Sequence, residues 1–391
     1  MGGPHDILIP EGTSWLNNPA ARRVFEAVQA GGFQIYFVGG CVRNSLLGLP
    51  DSDVDMSTNA RPDDVTRLAR AAGLKAIPTG IDHGTITVVV DGQPFEITTF
   101  RRDVETDGRR AVVAFSDDIT DDARRRDFTM NALYADLSGR VMDPLGGLSD
   151  LLARRVRFIE DADQRIKEDY LRTLRFFRFY AWYADPGEGF DADALASIAA
   201  NTEGLETLSA ERVGQELTKL LRAPDPAPAV ATMRQIGVLP VILPGTDDRW
   251  LAPLIHLEGT LGVQPDWRAR LAVLGGDGTD ARLRLSKADV RAVQLYQTQG
   301  FAGPPPAEIA YREGRDAARQ VVMLRAAMAE NMLDMSVLET IDRAAEAIFP
   351  IKAADLMPDY QGPALGKRLK ELEAAWIASD FTLDAKALLE R

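Results

Sequence analysis

Two aspartates separated by one residue, Asp53 and Asp55, have the spacing that most directly suggests chemistry. Polar and apolar residues alternate over 53–56, which predicts a strand in which residues two apart point to the same face. Paired carboxylates repel each other unless water or a cation neutralises them, and Mg²⁺ prefers oxygen ligands. The pair predicts a magnesium site, with a solvated turn as the alternative. Glu96, in another predicted strand, is a candidate third ligand or a surface strand residue.

A glycine turn, Gly39–Gly40, lies shortly before the aspartate pair, between a predicted strand and the start of a predicted helix. Glycines let the backbone approach a ligand closely. The free N–H groups of a helix N-terminus suit a phosphate, and Arg43 can add a charge-assisted contact. Because the turn precedes the aspartate pair, we interpret it as a triphosphate site beside the metals. Alone, it would be an ordinary turn.

A second cluster, RRRDFTMN (124–131), places three consecutive arginines before Asp127 and Asn131. Adjacent like charges are unfavourable without an anionic partner, and residues four apart share one face of a helix. An Asp and an Asn can hydrogen-bond ribose hydroxyls while an arginine holds phosphate. The pattern predicts a ribose-binding cluster; an exposed basic helix cap is the alternative.

A third cluster, EDYLRTLRFFR (168–178), lies in a predicted helix over 164–183. Its Asp169 and Arg172 are three residues apart, so they would be neighbours on one face. Asp offers only acceptors and Arg only donors, and together they match the hydrogen-bonding edge of a base. The alternative is a surface salt bridge worth less than about 1 kcal/mol.

The elements that must position these residues fall into two regions. Before residue 150, the patterns predict helices and a small sheet; the ranges are 19–31, 42–48 and 62–72 for helices, and 34–38, 53–56, 85–90 and 94–100 for strands. After residue 150 the strand signals fade. The predicted helices there are 164–183, 192–200, 209–222, 226–236, 286–299, 315–330, 335–348 and 366–378.

Five motifs occur in the order typical of one family, and the chain resembles the class II tRNA nucleotidyltransferase and bacterial poly(A) polymerase family over residues 33–222. The motifs are GGCVRNSLLG with DSDVDMSTNARP, RRRDFTMNAL, DPLGGLSDL, EDYLRTLRFFRF and SAERVGQEL. The resemblance implies an α+β protein. Its parts would be a nucleotidyltransferase head with a small mixed β-sheet flanked by helices (1–150), a helical neck for nucleobase recognition (151–225), and a helical body and tail for tRNA binding (226–391).

The resemblance also implies roles for residues at matching positions. Asp53 and Asp55 would hold two Mg²⁺ ions, one activating the RNA 3′-hydroxyl and the other steadying the triphosphate. The implied sites are Gly39, Gly40 and Arg43 for the triphosphate; Arg126, Asp127 and Asn131 for the ribose; Asp169 and Arg172 as an amino-acid template for CTP or ATP; Arg175 and Arg178 for phosphates; and Gly146 and Gly147 as a hinge. Asn44 and Met56 depart from the family pattern without removing a presumed ligand.

Within the family, the sequence favours template-independent CCA addition to tRNA. The stretch LKAIPTGIDHGTITVVV (74–90) looks like the CCA-adding type, whereas poly(A) polymerases usually carry a basic, His-containing stretch there. Residues 104–118 resemble the flexible loop that full CCA-adding enzymes need to switch from CTP to ATP. Two alternatives remain, namely a poly(A) polymerase and a non-catalytic RNA-binding relative. No metal-dependent phosphohydrolase motif and no protein partner are implied.

Composition sets limits on this interpretation. The net charge of −13 argues against a nucleic-acid partner, but residues 124–178 contain 12 Arg and Lys against 9 Asp and Glu. An acidic chain can bind RNA when its basic groups line one surface. With one cysteine, no secretory signal and no long apolar run, we expect a cytoplasmic protein without a membrane span.

Overall fold

The computed structural model of the protein describes residues 7–107, 110–331 and 333–391. All strands in these residues lie before residue 143. They are β1 (Ile35–Val38), β2 (Asp55–Thr58), β3 (Lys75–Gly80), β4 (Thr85–Val90), β5 (Gln93–Thr99), β6 (Arg101–Asp107), β7 (Arg110–Phe115), β8 (Tyr134–Ala135) and β9 (Val141–Met142).

Seven strands form one mixed sheet in the order β3-β4-β5-β2-β1-β8-β9, and β6 and β7 form a separate hairpin. Strand β2 is antiparallel to β1 and parallel to β5. Val38 on β1 lies opposite Asp55, and Asp55 lies opposite Glu96 on β5. Val38, Asp55 and Glu96 therefore occupy neighbouring positions on β1, β2 and β5. The residue just before the glycine turn thus lies in line with two acidic residues.

Helices flank this sheet. They are α1 (Pro19–Gln29), α2 (Gly40–Leu46), α3 (Pro62–Ala71), α4 (Ile119–Arg124) and α5 (Leu148–Leu152), with 3₁₀ turns at Ile81–His83 and Thr129–Asn131. Both α1 and α3 begin with a proline, which suits the first helical position. Helix α1 buries Val24, Phe25 and Val28, and the Phe25 ring lies 4.4 Å from that of Phe37 on β1. The apolar face of α1 thus fixes the strand that leads into the glycine turn.

The rest of the described chain is helical. Its helices are α6 (Ala162–Glu168), α7 (Leu171–Tyr183), α8 (Ala192–Ala200), α9 (Ala210–Leu221), α10 (Ala227–Gln235), α11 (Val238–Ile242), α12 (Leu251–Leu261), α13 (Trp267–Leu274), α14 (Thr279–Arg282), α15 (Lys287–Phe301), α16 (Pro306–Glu313), α17 (Arg315–Ala329), α18 (Ser336–Ala345), α19 (Gly362–Ala378) and α20 (Ala385–Leu389). Two further 3₁₀ turns are Thr202–Thr207 and Ala353–Leu356. The predicted α+β class is confirmed.

The helix predicted over 164–183 is wrong in one respect, because the structure has two helices there. Asp169 is extended, with φ −155° and ψ 104°, and its carboxylate accepts a hydrogen bond from the Leu171 N–H at 3.1 Å. Tyr170 packs against Gly204, where a β-carbon would lie 2.0 Å from the ring. The break is therefore held by a capping side chain and by a contact from a distant segment.

Two other local predictions are corrected. Strand β2 begins at Asp55, so Asp53 lies in the segment before the strand. Residues 124–131 do not form one helix, because α4 ends at Arg124 and a 3₁₀ turn follows at Thr129–Asn131. Asp127 and Asn131 nevertheless meet, since the Asn131 amide donates to the Asp127 carboxylate at 2.9 Å.

The chain divides into two compact units. One comprises Met1–Glu216 with Gln235–Val241, and the other comprises Leu217–Arg234 with Ile242–Arg391. The first unit contains every residue of the three predicted clusters. The division into 1–150, 151–225 and 226–391 stays a prediction. Among the helices of the described residues, none has the length and apolar character needed to cross a membrane.

Candidate active site

Asp55 begins β2 at the point where the glycine turn follows β1. Asp53, Asp55 and Glu96 are all exposed to solvent. Partial desolvation by the surrounding protein, Glu96 and Asp53 together raise the pKa of Asp55 to about 6, against the opposing effect of Arg126. Glu96 and Asp53 therefore each lie close enough to repel Asp55, and the charge on Asp55 is unfavourable without a cation.

The residues present fit a divalent cation only in part. In the described part of the chain, no three His, Cys, Asp or Glu side chains converge as a complete metal site. Mg²⁺ in phosphate-binding sites is commonly held by one or two carboxylates, with water and substrate phosphates as the other ligands. Asp53 and Asp55 fit that pattern, and Glu96 is the nearest candidate for a third ligand.

The glycine turn favours glycine at position 39 through its backbone conformation and leaves little room for a side chain at position 40. Gly39 has φ +74°, which side chains rarely adopt, and a β-carbon on Gly40 would lie 2.7 Å from Ser52 Oγ. A β-carbon on Gly39 would lie 3.6 Å from Arg126 Nη1. Arg126 therefore lies beside the turn and also acts on the pKa of Asp55. The turn, the aspartate and the arginine are brought to one place.

Arg126 is held by a buried carboxylate that sequence reasoning missed. Its Nη2 donates to Asp122 at 2.9 Å, and its Nε donates to the Tyr134 hydroxyl at 3.2 Å. Asp122 is fully buried. Burial alone would raise the pKa of Asp122, but Arg125 and Arg126 outweigh it and hold that pKa well below its usual range. Asp122 thus stays ionised and orients Arg126.

Arg43, Asn131 and Asp127 form a buried chain of hydrogen bonds. Arg43 donates to the Asn131 side-chain oxygen and, at 2.9 Å, to the Tyr183 hydroxyl. Asn131 donates in turn to Asp127. Asp127 also accepts from Arg175 Nε at 2.7 Å. Because the Asn131 oxygen receives the Arg43 donor, its amide nitrogen must face Asp127, which fixes the orientation of the side chain.

Arg175 and Arg178, predicted to contact phosphates, share a second buried acid. Arg178 Nε donates to Glu216 at 2.6 Å, and Arg175 Nη1 lies 4.0 Å from the same carboxylate. Glu216 is only 5 % exposed. Burial of Asp127 would raise its pKa, but Arg175 and Asn131 outweigh that effect and lower it well below the usual range. Both arginines are therefore already engaged by internal carboxylates.

Asp169 and Arg172 do not pair with each other. Asp169 accepts from Arg212 at 2.6 Å, whereas Arg172 pairs with Glu168 and donates to the backbone oxygen of Arg165 at 2.8 Å. The surface salt bridge considered as an alternative is therefore absent from this pair. Both side chains are half-buried and are held separately by other residues.

The two hinge candidates lie in a closely packed turn. Gly146 has φ +74°, and a β-carbon on Gly147 would lie 2.3 Å from the backbone oxygen of Thr129. The Asp143 carboxylate accepts from the N–H groups of Gly147 at 2.8 Å and Leu148 at 2.9 Å. Glycine at 147 is required by close packing, and a hinge function stays a prediction.

Comparison with known proteins decides the family. Residues 35–157 match the family model described as "Poly A polymerase head domain", and residues 189–249 match "Probable RNA and SrmB- binding site of polymerase A". The CCA-adding enzyme of Geobacillus thermodenitrificans (strain NG80-2) is 33% identical over 368 residues, covering 89% of this chain and 89% of that protein. The chain belongs to the CCA-adding nucleotidyltransferases.

Other relatives agree with this assignment. The mitochondrial CCA tRNA nucleotidyltransferase 1 of Mus musculus is 32% identical over 375 residues, covering 91% of this chain and 86% of that protein. The crystal structure of the Bacillus stearothermophilus CCA-adding enzyme in complex with CTP is 27% identical, with a TM-score of 0.69 over 93% of this chain and 94% of that one. As a member of this family, the protein is a nucleotidyltransferase, and the family implies a divalent metal.

For this CCA-adding nucleotidyltransferase, sequence reasoning identified the arginines but missed the acids that hold them. Asp122, Glu168 and Glu216 each contact an arginine of a predicted cluster. Glu168 and Glu216 lie inside quoted motifs, and Asp122 lies four residues before Arg126. That i, i+4 spacing was the available signal for Asp122. These acids differ from surface acids in their burial, and burial cannot be seen from the sequence alone.

Proposed function

We propose that the protein adds CMP and AMP from CTP and ATP to the 3′ end of tRNA, without a nucleic-acid template, and releases pyrophosphate. The observation that carries this proposal is the convergence of Asp55, the glycine turn and Arg126 at one end of β1 and β2. Support for the substrates comes from relatives named as CCA tRNA nucleotidyltransferase and from a related structure described as a CTP complex.

In this proposal Mg²⁺ is the divalent metal, held by Asp53 and Asp55 with Glu96 as the tentative third ligand. When bound, it would supply Lewis-acid stabilisation of the phosphate oxygens and favour the ionised 3′-hydroxyl. The 3′-oxygen attacks the α-phosphorus of the nucleotide, and the bond to pyrophosphate breaks. Arg126, whose Nη1 lies beside Gly39, is placed to neutralise phosphate charge there.

Ribose and base recognition rest on the buried network. Asn131 and Asp127 would meet the ribose hydroxyls, with Arg43 and Gly40 on the triphosphate side. Arg175 and Arg178 would contact phosphates by donors that their carboxylates leave unused, since each guanidinium has five N–H groups. Asp169 and Arg172 would present acceptors and donors to the base edge. In this proposal Gly146 and Gly147 form a hinge that adjusts these groups, and the protein is cytoplasmic, as its single buried cysteine fits.

Nucleotide selection by variants of Arg172 tests the template role. With tRNA ending at the discriminator base, wild-type protein should use CTP and reject ATP, and with tRNA ending in CC it should use ATP. Arg172→Ala should reduce the ratio of the two kcat/KM values at each step by about tenfold or more, the size of one lost hydrogen-bonded group. Arg157→Ala, whose side chain is half exposed, is the matched control. Unchanged selectivity in Arg172→Ala would refute the template role.

A further inference from the structure

Asn44 lies on α2 directly after Arg43, outside the residues assigned to the nucleotide and the metal. The residue is buried, with 9 % of its surface exposed. Its side-chain oxygen accepts from Arg43 Nε at 3.1 Å and from Arg43 Nη2 at 2.9 Å. Its side-chain nitrogen donates to the backbone oxygen of Pro50 at 2.8 Å. Because one end of the amide meets donors and the other end meets an acceptor, the orientation of the side chain is fixed.

The contact with Pro50 reaches the segment that carries Asp53. Residues 49–54 have no regular secondary structure and lead from the end of α2 to β2. The Leu49 N–H donates to the Asn44 backbone oxygen at 2.9 Å, and the Pro50 oxygen accepts from the Asn44 side chain. Asn44 therefore holds the start of this segment with both its backbone and its side chain, three residues before Asp53.

The contact with Arg43 reaches the other side of the candidate site. Arg43 also donates to the side-chain oxygen of Asn131 and to the Tyr183 hydroxyl. Its guanidinium carbon lies over the Tyr183 ring, 4.2 Å from the ring centroid. The position of Arg43 is thus set by residues from two other segments. Asn44 connects this fixed guanidinium to the segment before Asp53.

We infer that Asn44 is a positioning residue for the metal site, because its amide links Arg43 to the Pro50 carbonyl and so fixes where Asp53 lies relative to Asp55. The inference rests on the proposed function, in which Asp53 and Asp55 hold the divalent metal. Loss of a group that orients metal ligands typically weakens metal binding by about 10- to 100-fold. Asn44 contacts no ligand directly and acts through the backbone that carries Asp53.

The test is the variant Asn44→Asp in the full chain. Aspartate has the same shape and keeps an acceptor for Arg43, but it has no donor for the Pro50 oxygen. Binding of Mn²⁺ to the nucleotide-free protein is measured by electron paramagnetic resonance at pH 7.5. The added negative charge would by itself tighten the binding of a cation. A positioning role predicts the opposite sign, and we expect the Kd for Mn²⁺ to rise at least about tenfold.

Asn17→Asp is the matched control. It makes the same chemical change, and the Asn17 amide also donates to a backbone oxygen, that of Thr13 at 3.0 Å, but Asn17 is exposed. Its Kd for Mn²⁺ should stay within twofold of wild type. A second variant, Asn44→Leu, removes both side-chain contacts without adding charge and should weaken Mn²⁺ binding at least as much as Asn44→Asp. Thermal unfolding shows which variants are folded, and Asn44→Leu alone is sufficient for the test if Asn44→Asp does not fold.

Nucleotide incorporation gives an independent measurement. In Asn44→Asp, the Mg²⁺ concentration for half-maximal CMP incorporation should rise by about the same factor as the Kd for Mn²⁺. A Kd for Mn²⁺ equal to or below that of wild type in either folded Asn44 variant would overturn the inference. This holds even if the variant is less stable, because Asn44 would then have only a structural role. Wild-type protein that binds Mn²⁺ but incorporates no nucleotide would instead refute the proposed function.

Discussion

Among the single residues of the site, most buried acids are paired with arginines, but one acid is not neutralised. Asp122, Asp127 and Glu216 are buried beside arginines and form ion pairs with them. Asp55 is different, because its nearest charged neighbours include two other acids and its pKa is raised to about 6. An unbalanced carboxylate at the end of a strand is typical of a site that is completed by a ligand.

Replacement of Asp55 tests the role of this carboxylate. Asp55→Asn should lower nucleotide incorporation by at least about 10³-fold, because one metal ligand and its charge are lost. RNA binding should stay within a few-fold, and the metal-free variant should be as stable as wild type or more so, because repulsion with Glu96 is removed. Incorporation and thermal unfolding are measured on the same preparations. Activity within tenfold of wild type would exclude Asp55 as a metal ligand.

The pH dependence of metal binding follows from the raised pKa of Asp55. Only the ionised carboxylate binds a cation, so Mg²⁺ affinity should be constant above about pH 7 and should fall about tenfold per unit below pH 6. Titration calorimetry at several pH values measures this. Glu96→Gln should move the midpoint to lower pH, since one source of repulsion is gone. An affinity independent of pH between 5 and 7.5 would contradict the assignment.

The same pKa fixes the sign of a stability effect in the metal-free protein. The folded-state pKa of Asp55 lies above its ordinary value of 3.8, so the folded state binds the proton more tightly than the unfolded state. This group therefore destabilises the fold near neutral pH. Its contribution should become less unfavourable as the pH falls through 6 towards 4.

At the scale of elements, the pair of strands β4 and β5 and the ends of some helices were predictable from local pattern. Strand β4 matches its predicted range of 85–90, and α8 matches 192–200. Strands β3, β6 and β7 were not predicted, nor were the short strands β8 and β9, whose two residues carry no periodicity and whose pairing is decided by neighbours distant in sequence. The break before α7 was missed for a similar reason, since Asp169 and Tyr170 are neither glycine nor proline.

Gly204 provides a direct test of that break. Gly204→Ala should destabilise the protein by about 1–3 kcal/mol, because the new methyl group would overlap the Tyr170 ring. Gly259→Ala is the matched control: its β-carbon would meet no atom within 4 Å, so it should be neutral or stabilising by up to about 1 kcal/mol. Both are measured by thermal unfolding.

Truncating the partner should identify the cause of any loss at Gly204. In the Tyr170→Ala background, Gly204→Ala should cost much less than in wild type, giving a coupling of about 1 kcal/mol or more between the two positions. If the effects of the two changes on the free energy of unfolding are additive, the contact with Tyr170 does not cause the loss of stability in Gly204→Ala.

At the scale of the whole molecule, each unit has its own buried charged network. In the second unit, Arg270 is fully buried, pairs with Glu258, and donates to the backbone oxygens of Leu221 at 2.7 Å and Ala223 at 2.6 Å. Burial raises the pKa of Glu258, and Arg270 opposes this shift. The arginine also caps the carbonyl of Leu221, the last residue of α9, so it stabilises the end of that helix.

Removing this arginine should be costly. Arg270→Met leaves a buried carboxylate and two carbonyl oxygens without a partner, and should destabilise the protein by about 3–5 kcal/mol. Arg268→Met on the same helix is the control; its side chain is 36% exposed, so the expected loss is below about 1 kcal/mol. Chemical denaturation measures both. Equal losses of unfolding free energy in the two variants would show that the buried position of Arg270 does not increase its contribution to stability.

The function of the whole molecule was predictable because five motifs occur in one order. The geometry of the site was not predictable from the sequence. Asp53, Asp55 and Glu96 were recognised by residue type and spacing, and Asp55 and Glu96 lie opposite each other. The pairing of Arg172 with Glu168 and of Arg175 with Asp127 was not predicted, because which acid meets which arginine is decided only when the chain is folded. Part of the segment 104–118, predicted to act as a flexible loop, lies outside the described residues.

The most direct test is the length and sequence of the RNA product. Purified protein, Mg²⁺, CTP and ATP are incubated with tRNA ending at the discriminator base, and the product is analysed by intact mass and 3′-end sequencing. We expect growth by three nucleotides reading CCA, with no further extension and a requirement for both nucleotides. A long ladder formed with ATP alone, or no extension of tRNA by an intact protein, would contradict it.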